Sequence, residues 1–467
     1  MSKSSPTNLQ SIDSSLARLR HHYETGATRP LAYRLKQLDG LQRFLRECDR
    51  DIEQALHQDL KKSAMESFVT ETTIIYSELH YVRKHLSSWI KPKKVSTILP
   101  MQPGKSYVYP EPLGLVLIIS PWNYPIQIPL VALIGALAAG NCAVIKPSEV
   151  APASSQLLAE KLPHYIDPAC LHIIQGGVEE TTMLLKQAFD HIHYTGNTTV
   201  GKVVMEAAAK HLTPVTLELG GKSPCIIDET ANIEVTAKRI VWAKFSNAGQ
   251  TCVAPDYLLV HKNVEDTLLQ HMIKAIHEFY GDNSQTSRDY SRIINAKHYQ
   301  RLIKLLSGNG EIVTGGKTDE SDLYIAPTIL RHVKDDAPIM SDEIFGPILP
   351  VISIASLDDA ITFIRMRPKP LALYMFSESK LAQQQIVTQT TSGSVCINHA
   401  MMQLAVPALP FGGVGASGMG TYHGKASFDA FTHYKSILYK PTWLDLRMMY
   451  PPYGRLLNRI LSWYLNT

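Results

Sequence analysis

The sequence predicts an α/β protein: two doubly wound domains, a small β arm and a short amphipathic tail. Three observations predict it. From Gly114 to Leu217, short apolar runs alternate with helical patterns, and repeated βαβ units of that length imply a parallel sheet covered by helices. After Gly220 the alternation restarts with different loops, which marks a second domain. Ahead of both, Val95 to Pro112 is extended and punctuated by proline. That stretch is too long for a plain loop within a domain and reads as an arm that leaves the body and returns.

Taken in order, the chain opens with leucines and other apolar residues at helical spacing from Leu16 to about Leu60, among them Leu31, Leu35, Leu38 and Leu45. A second helical stretch runs from about Glu66 to Trp89 and ends at the proline of KPKK. In the first series the strands are Gly114–Ile119, Cys142–Ile145, Leu171–Ile174, His191–Tyr194 and Pro214–Leu217. The helices between them are Gln127–Ala139, Ala153–Leu162, Glu179–Ala188 and Thr198–His211. The second series has strands Cys225–Ile227 and Tyr257–Val260, helices Ile233–Phe245 and Val264 to about Phe279, and βα units near Leu349–Phe363 and Leu371–Gln385. Strand Ser394–Ile397 follows, and Tyr434–Leu438 is a late strand with the composition to pair with the arm.

The 467 residues exceed one ordinary core. A hydrophobic content of 45% with 19% charged residues describes a globular chain rather than a disordered one. The net charge of +4 is small for this length and gives no case for nucleic-acid binding. Six cysteines lie scattered without a CxxC pair, so neither a metal site nor a disulfide framework is expected, and a reducing, cytoplasmic setting fits. Cys142, Cys225 and Cys396 read as small buried hydrophobes. The N-terminus does not read as a secretory signal. The longest apolar run, Pro129 to Gly140, is too short to span a bilayer.

Several segments carry chemistry. Cys252 ends SNAGQTC, a turn between a helix and a strand where a nucleophile can project into a cleft. A lone cysteine is more often an inert core residue, but the polar residues flanking this one make little sense in a core. Glu218 opens ELGGKSP behind an apolar strand, so it reads either as a general base with a raised pKa or as a carboxylate bonded to backbone amides. In PWNYP, Asn123 offers a neutral donor to an oxyanion, together with the backbone N–H of Cys252; the alternative is a rigid turn. Gly196 to Gly201 (GNTTVG) joins a strand to a helix where a pyrophosphate would meet backbone amides. Lys146 and Glu149 in KPSE suit a ribose, unless that loop is simply solvated. Glu343 and Phe345 in EIFGP add a carboxylate and an aromatic face, and FGGVGASG is a glycine-dense loop fit to line a site.

PWNYP, IKPSE, TGNTTVG, ELGGKSP, GQTC, EIFGP and PFGGVGASGMG occur in the order found in the aldehyde dehydrogenase superfamily, and the chain resembles it over roughly residues 15 to 440. KHLTPVTLELGGKSP and NAGQTCVAPDYLL look most like the class 3 branch of fatty and aromatic aldehyde dehydrogenases. The resemblance implies that Cys252 attacks the aldehyde, that Asn123 and the Cys252 amide hold the oxyanion, that hydride passes to a nicotinamide, and that Glu218 activates the hydrolytic water. It implies contacts of Lys146 and Glu149 with the adenosine ribose, of Gly196 and Gly201 with the pyrophosphate, and of Glu343 and Phe345 with the nicotinamide ribose. NAD is favoured because Glu149 repels a 2′-phosphate, although class 3 enzymes often accept NADP as well. Asn197 departs from the Ser of many relatives without touching a catalytic role. Tyr124, Trp242, Thr251, Met401 and Leu404 are expected in an apolar substrate tunnel, with core packing as the alternative for Trp242 and Leu404.

These readings assign residues 1–90 and 113–217 to dinucleotide binding and 218–420 to the thiol. They give 91–112 and 421–445 to an oligomerisation arm of a homodimer, and 446–467 to a tail. Leu456, Leu457, Ile460, Leu461 and Tyr464 share one helical face of that tail, suited to a peripheral membrane contact over 454–467, to capping the tunnel, or to docking on the chain's own subunit. A CoA-acylating dehydrogenase, an acyl reductase, and a non-catalytic structural or lipid-binding relative remain as alternatives; the retained Glu218 weighs against the first, and the intact Cys252, Glu218 and Asn123 against the last.

Overall fold

A computed structural model describes residues 9–453, 455, 458–459 and 462. The tail's apolar face (Leu456, Leu457, Ile460, Leu461 and Tyr464) lies outside the described residues. One compact unit comprises the described residues through Trp89 together with Pro112–Thr432. The second comprises Ile90–Glu111 and the described residues from His433 onward.

Within the first unit the N-terminal leucine periodicity forms three helices, Leu9–Glu24, Leu31–Glu47 and Asp49–Leu60. Pro30 sits just ahead of the second, where its fixed φ suits a helix start, and Lys61 closes the third in the left-handed region at φ 56°. The stretch read as one helix from Glu66 to Trp89 is interrupted. Ala64–Ser67 is α-helical, Phe68–Thr72 is a π turn, and Thr73–Trp89 is α-helical again.

A six-stranded sheet follows the order Gly418–Met419, Val215–Leu219, His191–Gly196, Leu115–Ile119, Cys142–Lys146, Leu171–Ile173. All its pairings are parallel except that of Gly418–Met419 with Val215–Leu219. Helix Gln127–Ala139 is apolar all round because it is buried on every side, packed against Leu31–Glu47, Thr73–Trp89 and Gly424–Ala430. Leu130, Leu133 and Ile134 are fully buried there, each contributing roughly 1.5–3 kcal/mol relative to exposure. Gly140 ends the helix at φ 92°, where a side chain would be strained.

The second sheet has seven strands in the order Glu311–Thr314, Thr328–Arg331, Ile348–Ile354, Tyr257–His261, Pro224–Ile227, Ala372–Phe376, Ser394–Ile397. It is parallel apart from the edge strand Glu311–Thr314. Its first two strands have no counterpart in the sequence reading. Residues 421–432, which the sequence assigns to the arm, belong to the first unit: Gly424–Ala430 packs on the buried helix, and Asn141 Nδ2 donates to Phe431 O at 2.9 Å. Lys93–Val95, Lys105–Pro112 and Thr432–Tyr439, which belong to the second unit except for the end residues Pro112 and Thr432, form a three-stranded sheet in that order. Among the described residues no helix is long and apolar enough to cross a membrane.

Gly201, in helix Thr198–Ala209, leaves room for the side chain of Leu219: a Cβ there would lie 2.6 Å from Leu219 Cδ2. Gly201→Val is expected to destabilise the protein by about 1–3 kcal/mol, read as a lowered midpoint in thermal or denaturant unfolding.

Candidate active site

Four parallel strands of the six-stranded sheet deliver residues to one cleft at their carboxyl ends, the position expected for ligands of such sheets. Leu115–Ile119 leads into the turn holding Asn123. Cys142–Lys146 ends on Lys146, His191–Gly196 ends on Gly196, and Val215–Leu219 carries Glu218 next to its end. Cys252 enters from the loop between helix Ile233–Phe245 and strand Tyr257–His261. The cleft holds about 1290 Å³. Asn123, Tyr124, Lys146, Glu149, Gly196, Glu218, Trp242, Thr251, Cys252, Glu343, Phe345, Met401 and Leu404 all line it. Gly201 is the exception. Buried beneath Leu219, it lets the helix approach the strand, so its position fits close packing rather than pyrophosphate contact.

Cys252 is partly accessible at the base of the cleft. Burial pushes its thiol well above the ordinary value, and negative charge on Glu343 and Glu218 adds to this; the backbone N–H groups of Cys252 and Val253 pull the other way. The loop before it is strained. Asn247, Ala248 and Gly249 stand at φ 52°, 50° and 73°, and a Cβ on Gly249 would lie 2.3 Å from Gly346 O. Phe345, on the facing EIFGP loop, is also left-handed at φ 50°.

Glu218 is 3% exposed, and neither carboxyl oxygen has a hydrogen-bond partner. Burial therefore raises its pKa well above the usual carboxylate range. Glu343 packs against Gly220, leaves Oε1 without a partner, and is pushed up to about 8 by burial and by the charge of Asp256. The Asn123 amide donates to Gln250 O at 3.0 Å, which turns it toward the cysteine loop and leaves its second N–H unused in that bond. Tyr124 Oη lies 2.6 Å from Thr251 Oγ1.

In the other half of the cleft, Lys146 Nζ reaches Glu149 Oε2 at 2.9 Å and Gly176 O at 2.7 Å. Asn197 caps helix Thr198–Ala209 by accepting from Val200 N at 2.9 Å, and a Cβ on Gly196 would meet Tyr194 Oη at 2.3 Å. Trp122 packs edge-on against Phe345 at 5.3 Å.

Sequence reasoning missed several groups. Val178 and Val203, 79% and 52% exposed, present apolar surface to the cleft. Exposed valines carry no sequence signal. Lys62, Glu66 and Glu71, which belong to no recognisable motif, turn inward against the cysteine and asparagine loops. Among the described residues, no cluster of three or more His, Cys, Asp or Glu could hold a metal.

The profile of the aldehyde dehydrogenase family matches residues 5–437. This chain belongs to the aldehyde dehydrogenase family. It is 49% identical to human aldehyde dehydrogenase family 3 member B1 over 443 residues, covering 94% of each chain. It is 49% identical to the 4,4′-diaponeurosporen-aldehyde dehydrogenase of Staphylococcus aureus over 445 residues, covering 95% of this chain and 97% of that one. The substrate-bound structure of Staphylococcus aureus AldH superposes with a TM-score of 0.94 at 48% identity, covering 97% of this chain and 99% of that one. These relatives place the chain in the class 3 branch. The protein is an NAD(P)-dependent oxidoreductase acting on an aldehyde.

Asn123→Ala in this aldehyde dehydrogenase is expected to slow turnover by about 10²- to 10³-fold with little change in cofactor affinity, as loss of a single oxyanion donor does elsewhere. Steady-state kinetics with a cofactor titration check it.

Proposed function

We propose that the protein oxidises lipophilic aldehydes to carboxylic acids by covalent catalysis at Cys252, with NAD as the favoured acceptor. One observation carries this reading: a partly accessible thiol shares a cleft with a buried carboxyl group, Glu218, that has no partner. A buried carboxyl group without hydrogen bonds is costly to keep, and serving as a proton acceptor is a reason to keep it.

The cofactor half of the cleft fits a dinucleotide. Glu149, exposed at the cleft and held by Lys146, suits a ribose diol and disfavours a 2′-phosphate. Gly196 and the Asn197-capped helix offer backbone amides to a pyrophosphate. Val178 and Val203 suit the faces of an adenine, and the unpartnered Glu343 Oε1 suits a second ribose, with Phe345 beside it. Bound there, a nicotinamide would supply the hydride acceptor that the oxidation needs.

The chain's own residues do the rest. As the Cys252 sulfur bonds to the aldehyde carbon, the thiol proton passes to a cleft carboxylate. The Asn123 amide and the Cys252 N–H hold the oxygen of the thiohemiacetal as it takes on charge. Loss of hydride leaves an acyl thioester on Cys252. Glu218 takes a proton from water, the hydroxide adds to the thioester carbonyl, and the carboxylic acid departs as the thiolate leaves.

The other end of the cleft, with Tyr124, Trp242, Thr251, Met401 and Leu404 joined by Val69 and Ile74, supports an apolar substrate. A relative named for a diaponeurosporen-aldehyde supports the same reading. The class 3 resemblance supports a cytoplasmic homodimer, and the amphipathic pattern of 454–467 supports peripheral membrane contact. Sedimentation equilibrium and vesicle co-sedimentation of the full chain test these two.

A panel of aldehydes of rising chain length, assayed with each cofactor, tests the substrate. kcat/KM is expected to climb with chain length and to be higher with NAD; a preference for short polar aldehydes would overturn the proposal. A base must be ionised, and burial raises the Glu218 pKa. Deacylation is therefore expected to be slow where Glu218 is protonated and to rise with pH beyond the usual carboxylate range. Glu218→Gln is expected to flatten that rise and lower kcat by about 10²-fold or more.

A further inference from the structure

We infer that Lys62, Glu66 and Glu71 form a buried clamp that positions the oxyanion donor and the cysteine loop against each other, and so sets the rate at which Cys252 is acylated. The inference rests on the roles proposed above for Cys252 and Asn123.

Lys62 and Glu71 are wholly buried side chains paired at 2.7 Å. The same ammonium donates to Asn123 O at 3.2 Å and lies 4.1 Å from the centroid of the Tyr124 ring. The other oxygen of Glu71 accepts from Ile126 N and Gln127 N, both at 3.0 Å. The ion pair therefore grips the PWNYP loop on both sides of Tyr124. Glu66 grips the other partner. One of its oxygens accepts from Asn247 N and the other from Ser291 Oγ at 2.6 Å. Asn247, held in the left-handed region, sends its amide to Asn123 O at 2.9 Å and to Gln250 O at 3.1 Å, and Gln250 O also receives the Asn123 amide. Two loops that carry the reacting groups, 124 positions apart, are thus tied through one short segment.

The π turn Phe68–Thr72 explains how one segment reaches both loops. In a regular α-helix, residues five apart point about 140° away from each other, at roughly 100° per residue. A wider turn between Glu66 and Glu71 brings both carboxylates to the inward face, and π turns recur at functional sites for this reason. A purely structural reading fits less well. A buried ion pair is weak support for stability, and apolar residues of equal volume do as well or better. Lys62, Glu66 and Glu71 touch no reacting atom. They are positioning residues.

The double variant Lys62→Met/Glu71→Leu removes both charges together and avoids leaving either one stranded. It is expected to unfold cooperatively near the native temperature and to bind NAD with native affinity. The pre-steady-state burst of NADH is expected to slow about 10- to 100-fold, the cost of misplacing a reacting group. A burst within about twofold of native, in a folded variant that binds NAD, overturns the clamp. Should the double variant fail to fold, Glu66→Gln decides: it weakens the grip on Asn247 and Ser291 and leaves the Lys62–Glu71 pair intact, and a burst slowed about fivefold or more sustains the inference, while a native burst overturns it. Cys252→Ala run in parallel separates the two claims. Its burst must vanish; a surviving burst removes the thiol assignment and the clamp with it.

Discussion

Ionisable groups buried in one cleft, with carboxyl oxygens that lack hydrogen-bond partners, are the constraint on which this structure depends. Glu218 has no partner for either oxygen and Glu343 lacks one for Oε1, while Cys252 shares their cleft and burial raises its thiol pKa. Such groups cost free energy in the resting protein. They persist because the two sheets and the loops around them hold them in place. The same burial makes each proton transfer and each amide dipole count for more than it would in water.

That rigidity is built at several scales. The parallel sheet sets four strand ends in a row, which fixes the spacing between Glu218 and the loops after Lys146 and Gly196. The wholly buried helix Gln127–Ala139 anchors the turn that carries Asn123. The left-handed run from Asn247 to Gly249 aims the cysteine, and its strain is tolerated because Glu66, Asn123 and Gly346 surround it. Lys222 bonds to Asp256 at 2.6 Å, and Asp256 in turn accepts from Ile344 N at 3.2 Å, which fixes the backbone beside Glu343.

Much of this was legible in the sequence because it is written in local patterns. Buried parallel strands are short apolar runs, and Leu115–Ile119 and Cys142–Lys146 could be read directly. The chemistry-bearing loops announced themselves through glycine, proline and polar residues where a core would have none. Other features were not legible. Glu311–Thr314 is an exposed edge strand and Thr328–Arg331 has only four residues, so neither shows a period long enough to read. Lys62 and Glu66 belong to no recognisable motif, and only contacts across 61 and 181 positions bring them against the site loops. Gly201 matched a phosphate-turn spacing, but its position in the helix, under Leu219, serves packing.

The most direct measurement is the mass of the protein caught mid-reaction. Glu218→Gln mixed with NAD and a medium-chain aldehyde, quenched in acid and digested, is predicted to carry one acyl group, on the peptide containing Cys252 and on no other cysteine. An acyl group found elsewhere, or NADH formed with Cys252 unmodified at every time point, would contradict the account.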